Sequence, residues 1–150
     1  MEIVSPAVRF PLGLAAAVLA TLVMDRVMAR LPEGETPPTV AAGVLTRSHP
    51  DRAPARLASV VHYLAGLLTG PLFVYTLYVA ESVLDGVAAT AAAGAVLFVV
   101  MVAFFVVVVL PRPDGLSPDR RSRVGRDWAV SAAVYVAVLV PVVAVGSGLV

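Results

Sequence analysis

Residues 57–80 read LASVVHYLAGLLTGPLFVYTLYVA, 24 residues in succession without a formal charge. A bilayer's hydrocarbon layer is crossed by roughly 20 apolar residues in a helix. A helix of a soluble bundle would show water a polar face, and this stretch has none. It predicts a membrane-spanning helix. Working outward, residues 86–111 form an uncharged run of 26, and residues 128–150 one of 23. Toward the amino terminus the pattern is shorter. Residues 10–24 are free of charge, Asp25 and Arg26 interrupt, and apolar residues resume to Ala29. We read a span there too, with Arg26 and Arg30 reaching along their aliphatic stems to the interface. Glu2 and Arg9 before it make a poor basic leader, and most arginines follow the apolar run, so it is expected to stay as a permanent span.

The expected fold is therefore an all-α membrane protein. A single domain over 1–150 holds four transmembrane helices, near 11–29, 57–80, 86–110 and 128–149, in an antiparallel bundle. Composition agrees. Hydrophobic residues make up 59 % and charged residues 14 %, with mean hydropathy +0.92. About a quarter of an average soluble domain is charged, so this chain is no ordinary soluble globule, disordered chain or nucleic-acid binder. Cysteine is absent, which removes disulfides, thiolate metal sites and cysteine nucleophiles.

All 11 basic residues are arginine. Arg26, Arg30, Arg47, Arg52 and Arg56 flank or lie in the first loop. Arg112, Arg120, Arg121, Arg123 and Arg126 belong to the third. Only Arg9 falls at the other end. Basic loops stay on the cytoplasmic side, so loops one and three are expected there, with both termini and the 81–85 hairpin outside. The third-loop group Arg120, Arg121, Arg123 and Arg126 suits anionic lipid headgroups, or serves only to set the topology.

Both loops carry helix-start signals. Thr36 before Pro37 opens a short apolar run, which reads either as a short helix lying on the membrane or covering the bundle's mouth, or as a partly ordered loop. Ser117 before Pro118 is expected to start a helical turn. Asp127 and Trp128 then form an interfacial anchor pair at the start of the fourth span. Pro71 and Pro141 are expected to bend their helices.

Lipid is as apolar as leucine, so membrane helices associate where small residues let backbones approach. The second span carries a ridge of Ala58, His62, Gly66 and Gly70, and the first a ridge of Gly13, Ala17, Thr21 and Asp25. The third has Gly86, Thr90 and Gly94 at spacing four. With the first two spans antiparallel, Ala17 falls opposite Gly70, Thr21 opposite Gly66, and Asp25 opposite His62. The last pair lies roughly 7 Å inside the boundary, from the helical rise. An intramembrane carboxylate is costly, and an imidazole partner or water relieves that cost. Asp25, His62 and Thr21 thus form a candidate polar site. Two competing readings pair Asp25 with Arg26, Arg30 or a loop arginine as a plain anchor, or make Asp25–His62 a purely structural hydrogen bond.

Other chemistry is sparse. His49 and His62 are the only histidines, too few for a zinc site and separated by the chain. Ser59, His62 and Asp25 can be drawn as a hydrolytic trio, without an oxyanion donor. The four tyrosines read as packing or interfacial residues. No cofactor is expected.

At 21–25 (TLVMD), Pro37 with Pro38, and 62–70 (HYLAGLLTG), the chain resembles small four-span membrane proteins of halophilic archaea, and more loosely the YagU-like inner-membrane proteins. The resemblance covers spans one and two. It implies a membrane location and no reaction.

The leading expectation is a non-enzymatic membrane subunit, surrounded by membrane lipids and joined to a second copy or a membrane partner through small-residue faces. The alternatives are a small transporter or channel using Asp25 and His62, and a membrane-embedded enzyme acting on lipid or quinone.

Overall fold

A computed structural model describes residues 5–148. Five α-helices follow in order: α1 (Pro6–Met28), α2 (Thr36–Thr46), α3 (Ala55–Glu81), α4 (Gly86–Ala103) and α5 (Pro118–Gly148). A short 3₁₀ turn, Pro50–Arg52, separates α2 from α3. The last turns of α4 widen into a π-helix, Phe104–Val109. Among the described residues there is no strand. Four helices are long and apolar enough to cross a membrane, α4 counting through Val109. The protein is an all-α membrane bundle.

α1 packs on α3 and α5, and α4 packs on the same two helices. The four therefore form a ring in which every neighbour is antiparallel, with α1 diagonal to α4. Tyr135 of α5 crosses the centre, fully buried, and its hydroxyl donates to the Gly66 carbonyl of α3 at 2.6 Å. The main core joins Ala17, Ala20, Met24, Phe73, Leu97 and Leu139. The outer faces carry exposed Leu19, Leu22, Leu64, Leu68 and Val99. Their exposure to acyl chains carries no hydrophobic penalty, which is why this surface needs no polar residues.

The α1–α3 seam follows the small-residue ridges. A Cβ on Gly66 would stand 2.5 Å from the Thr21 hydroxyl, and one on Gly70 would stand 2.7 Å from the Ala17 Cβ. Gly13 faces Val74 and the Gly70 backbone at similarly short range. Thr21 turns its hydroxyl back to the Ala17 carbonyl at 2.8 Å. It is thus a packing residue of the seam.

Two boundaries and one packing face differ from the sequence reading. α1 starts at Pro6, so Arg9 lies inside the helix and is buried. α5 does not stop after one turn. Ser117 caps it, accepting from the Arg120 N–H at 3.2 Å, and the helix runs unbroken through Asp127 into the span. The third span's packing face is Ala89, Ala93, Gly94 and Leu97, which keeps Gly94 of the expected ridge and leaves out Gly86 and Thr90. Gly94 still meets Val140. Gly86 does not pack: it has open space around it and a φ of +52°, so its role is to turn the chain into α4. Thr90 returns its hydroxyl to the Gly86 carbonyl at 3.3 Å.

α2 covers the arginine-rich end of the bundle. Its Val40 is fully buried and joins Phe105, Leu110, Leu116 and Val124 in a second small core. Arg47 ends α2 in the left-handed region with φ 54°. Gly34 before α2 comes so close to the Met28 backbone that a side chain there would collide with it.

Candidate functional site

α1 and α3 meet at a depth where each contributes one polar residue, and the structure brings those residues together. His62 Nε2 stands 2.7 Å from Asp25 Oδ1. The Tyr63 hydroxyl donates to the other carboxylate oxygen, Oδ2, at 2.9 Å. Both carboxylate oxygens thus have a partner from the facing helix. An ionised carboxylate only accepts, so the ring nitrogen facing it, Nε2, is the one that would carry a proton in this pair. The His62 and Tyr63 rings meet edge to face, their centroids 5.1 Å apart.

The close approach follows from the seam below it. Thr21 against Gly66 sets the two backbones near one another, and one helical turn on, Asp25 and His62 fall within hydrogen-bond range. The arginine-anchor reading is not what the geometry shows. Arg30 donates instead to the Arg26 carbonyl, and the partners of Asp25 among the described residues are His62 and Tyr63.

The trio lies on the wall of a cavity of about 320 Å³ between α1, α2 and α3. Glu35, Thr39 and Ser59 complete its polar lining. No arginine lines it, although ten arginines lie at this end of the protein. Ser59 donates to the Ala55 carbonyl of its own helix at 3.1 Å, so the hydrolytic trio is not assembled. His62 also lines a second, apolar cavity of about 370 Å³, bounded by α2, α3, α4 and Tyr135 of α5.

The third-loop arginines are engaged more than their exposure to headgroups would require. Arg120 holds both Asp51 oxygens at 2.9 Å and Glu33 Oε1 at 3.0 Å. Arg121 donates to the Pro113 carbonyl, and Arg126 to Asp127. Arg123 alone of the four has no partner among the described residues. Arg120 and Arg121 of the expected headgroup row thus hold protein, while the Arg126 side chain is 63 % exposed and pairs only with its neighbour Asp127. The Asp127–Trp128 pair likewise faces protein. Asp127 is buried and accepts the Glu33 N–H at 2.9 Å. Trp128 donates to the Met101 carbonyl at 3.1 Å, where α4 begins to widen, and stacks on Phe105.

Sequence reasoning missed Tyr63 and Glu35. Tyr63 follows His62 directly and projects about 100° around the helix, off the small-residue face. Only its length brings the hydroxyl back to Asp25. Glu35 reaches the cavity because α2 folds over the bundle's mouth, which no local pattern announces.

No family model matches this chain, and neither does a curated protein or a solved structure.

Proposed function

We propose that the chain is a small polytopic protein of the cytoplasmic membrane that binds a polar group at its arginine-rich end, as a transporter or channel component. One observation carries this reading. Asp25, in the last turn of the membrane-length helix α1, is held by His62 and Tyr63 on a cavity wall, with no arginine lining it. Ionisable residues in such a helix are costly, and they concentrate where a ligand, ion or proton passes. Orientation follows from the arginines. Ten lie at the cavity end, and Arg9 at the opposite end is neutralised by Glu81 at 2.6 Å. That asymmetry supports a cytoplasmic mouth.

The absence of cysteine supplies the test. A Ser59→Cys variant in oriented membranes is expected to react with a membrane-impermeant maleimide from the cytoplasmic side, far faster than Leu68→Cys on the lipid face. Equal rates at the two positions would mean that water does not reach the site, and the reading would fall.

The subunit reading retains one supporting observation. A shallow apolar groove between α4 and α5, lined by Ala91, Ala95, Ala133 and Ala137, faces outward. The small-residue seam of α1 and α3 lies inside the bundle, so association would use this groove. A lone monomer in mild detergent would count against it.

A further inference from the structure

We propose that the ligand is an amphipathic cation: one positively charged head in the Asp25 cavity and an apolar tail in the cleft between α3 and α4. This rests on the reading of the Asp25 cavity as a binding site and adds the chemistry of what it binds.

The sign of the charge comes from the wall. Asp25 and Glu35 supply two carboxylates against one imidazole. The cavity stays negative whether His62 is neutral or protonated. An anionic headgroup would meet repulsion there, while a cation gains Coulomb attraction that strengthens away from water. Glu35 has no partner among the described residues, so its carboxylate is available to a ligand. The exposed Tyr63 ring adds a face of the kind that attracts ammonium groups.

The tail comes from continuity. His62 and Pro38 line both the polar cavity and the apolar cleft. Beyond them the cleft wall is Ala65, Leu72, Val100, Met101 and Phe104. A charged head at Asp25 therefore has an apolar channel beginning one side chain away. A purely polar solute would leave the cleft unused, and a neutral lipid would leave the Glu35 carboxylate unanswered. Only a molecule with both parts satisfies both walls.

Trp128 is the single tryptophan and lines the apolar cleft, so it reports occupancy directly. The probe is a bromo-terminated dodecyltrimethylammonium, titrated below micelle formation against the full chain in neutral-lipid nanodiscs. Saturable quenching of Trp128 is expected. Bromododecanoate, with the same tail and an anionic head, is expected to bind at least roughly tenfold more weakly. Glu35→Gln and Asp25→Asn should each weaken the cation by a similar factor. Glu35 makes no described structural bond, so its variant keeps the comparison valid if Asp25→Asn does not fold. Ala65→Phe should obstruct the tail and weaken the long cation while leaving tetramethylammonium competition unchanged.

Equal quenching by the two bromo probes would overturn the cationic assignment. Tetramethylammonium competing as strongly as the long cation would overturn the tail. Absence of saturable quenching would overturn both. If Ser59→Cys labels from water while any of these results appears, the cavity reading stands and only the ligand class fails.

Discussion

Arg9 shows how much one side chain's meaning depends on distant chain. In the sequence it is a lone charge ahead of the first span. In the structure it is buried, with Nη1 2.6 Å from Glu81, Nε 3.3 Å from Ser147 and its guanidinium 4.9 Å from the Tyr78 ring centroid. Removing one partner of such a pair leaves an uncompensated charge. Glu81→Gln should therefore destabilise the bundle by about 3–5 kcal/mol. Replacing both Arg9 and Glu81 by leucine should cost less than that single change. Thermal unfolding in one detergent compares the two variants with the native chain, and a double variant weaker than Glu81→Gln would refute the pairing. Asp25 is the converse case. Its partner His62 was legible from helical rise and ridge spacing, because two antiparallel helices leave little freedom of register. Tyr63 was not legible, because side-chain reach is not periodic.

Among elements, the α1–α3 seam is where the small-residue pattern translated most directly into contact. A glycine that another backbone touches tolerates no side chain without separating the helices. Gly70→Val should thus lower stability by about 1–3 kcal/mol or more, the usual cost of overpacking. Gly148, with open space around it, should accept alanine with little change. Comparable losses at both positions, by thermal unfolding, would contradict the seam. α4 shows where the pattern misleads. Of Gly86, Thr90 and Gly94 at spacing four, Gly94 is buried, yet Gly86 serves a turn, and the buried face runs through Ala89, Ala93, Gly94 and Leu97. Alanine also lets helices approach, so the many alanines of this span shift its packing face around the helix. The π-helical end of α4 has no local signature either. It lies beside a packed Trp128 that donates to the Met101 carbonyl from another helix.

At the scale of the molecule, charges that look like a membrane-facing row serve to close the arginine-rich end. Arg120 reaches from α5 to Asp51 in the 3₁₀ turn and Glu33 before α2, tying three segments across the mouth. The guanidinium hydrogen bonds hold the Asp51 carboxyl below its ordinary value near 3.8. A depressed carboxyl contributes stability above its unfolded value and loses it as pH falls through the lowered one. Acidification below about pH 4 should loosen the turn first, since ordinary aspartate titrates near there. Hydrogen exchange over residues 47–53 should rise at acid pH in the native chain. In Arg120→Gln it should already be raised at neutral pH and change little with acid. An unchanged acid response in that variant would exclude the clamp.

What the sequence by itself determined is the solvent: long uncharged runs admit only helices in a bilayer, since every backbone polar group must be satisfied within its own segment. It also determined the spans, the arginine asymmetry and the Asp25–His62 level, because these depend on length and helical period alone. The tertiary structure decided which charges meet. Arg9 with Glu81, Arg120 with Asp51 and Glu33, and Glu35 at the Asp25 cavity all join segments far apart in the chain. Such pairings arise only once the bundle has closed and α2 has folded over its end, because electrostatic partners are chosen by distance in space and carry no periodicity along the chain.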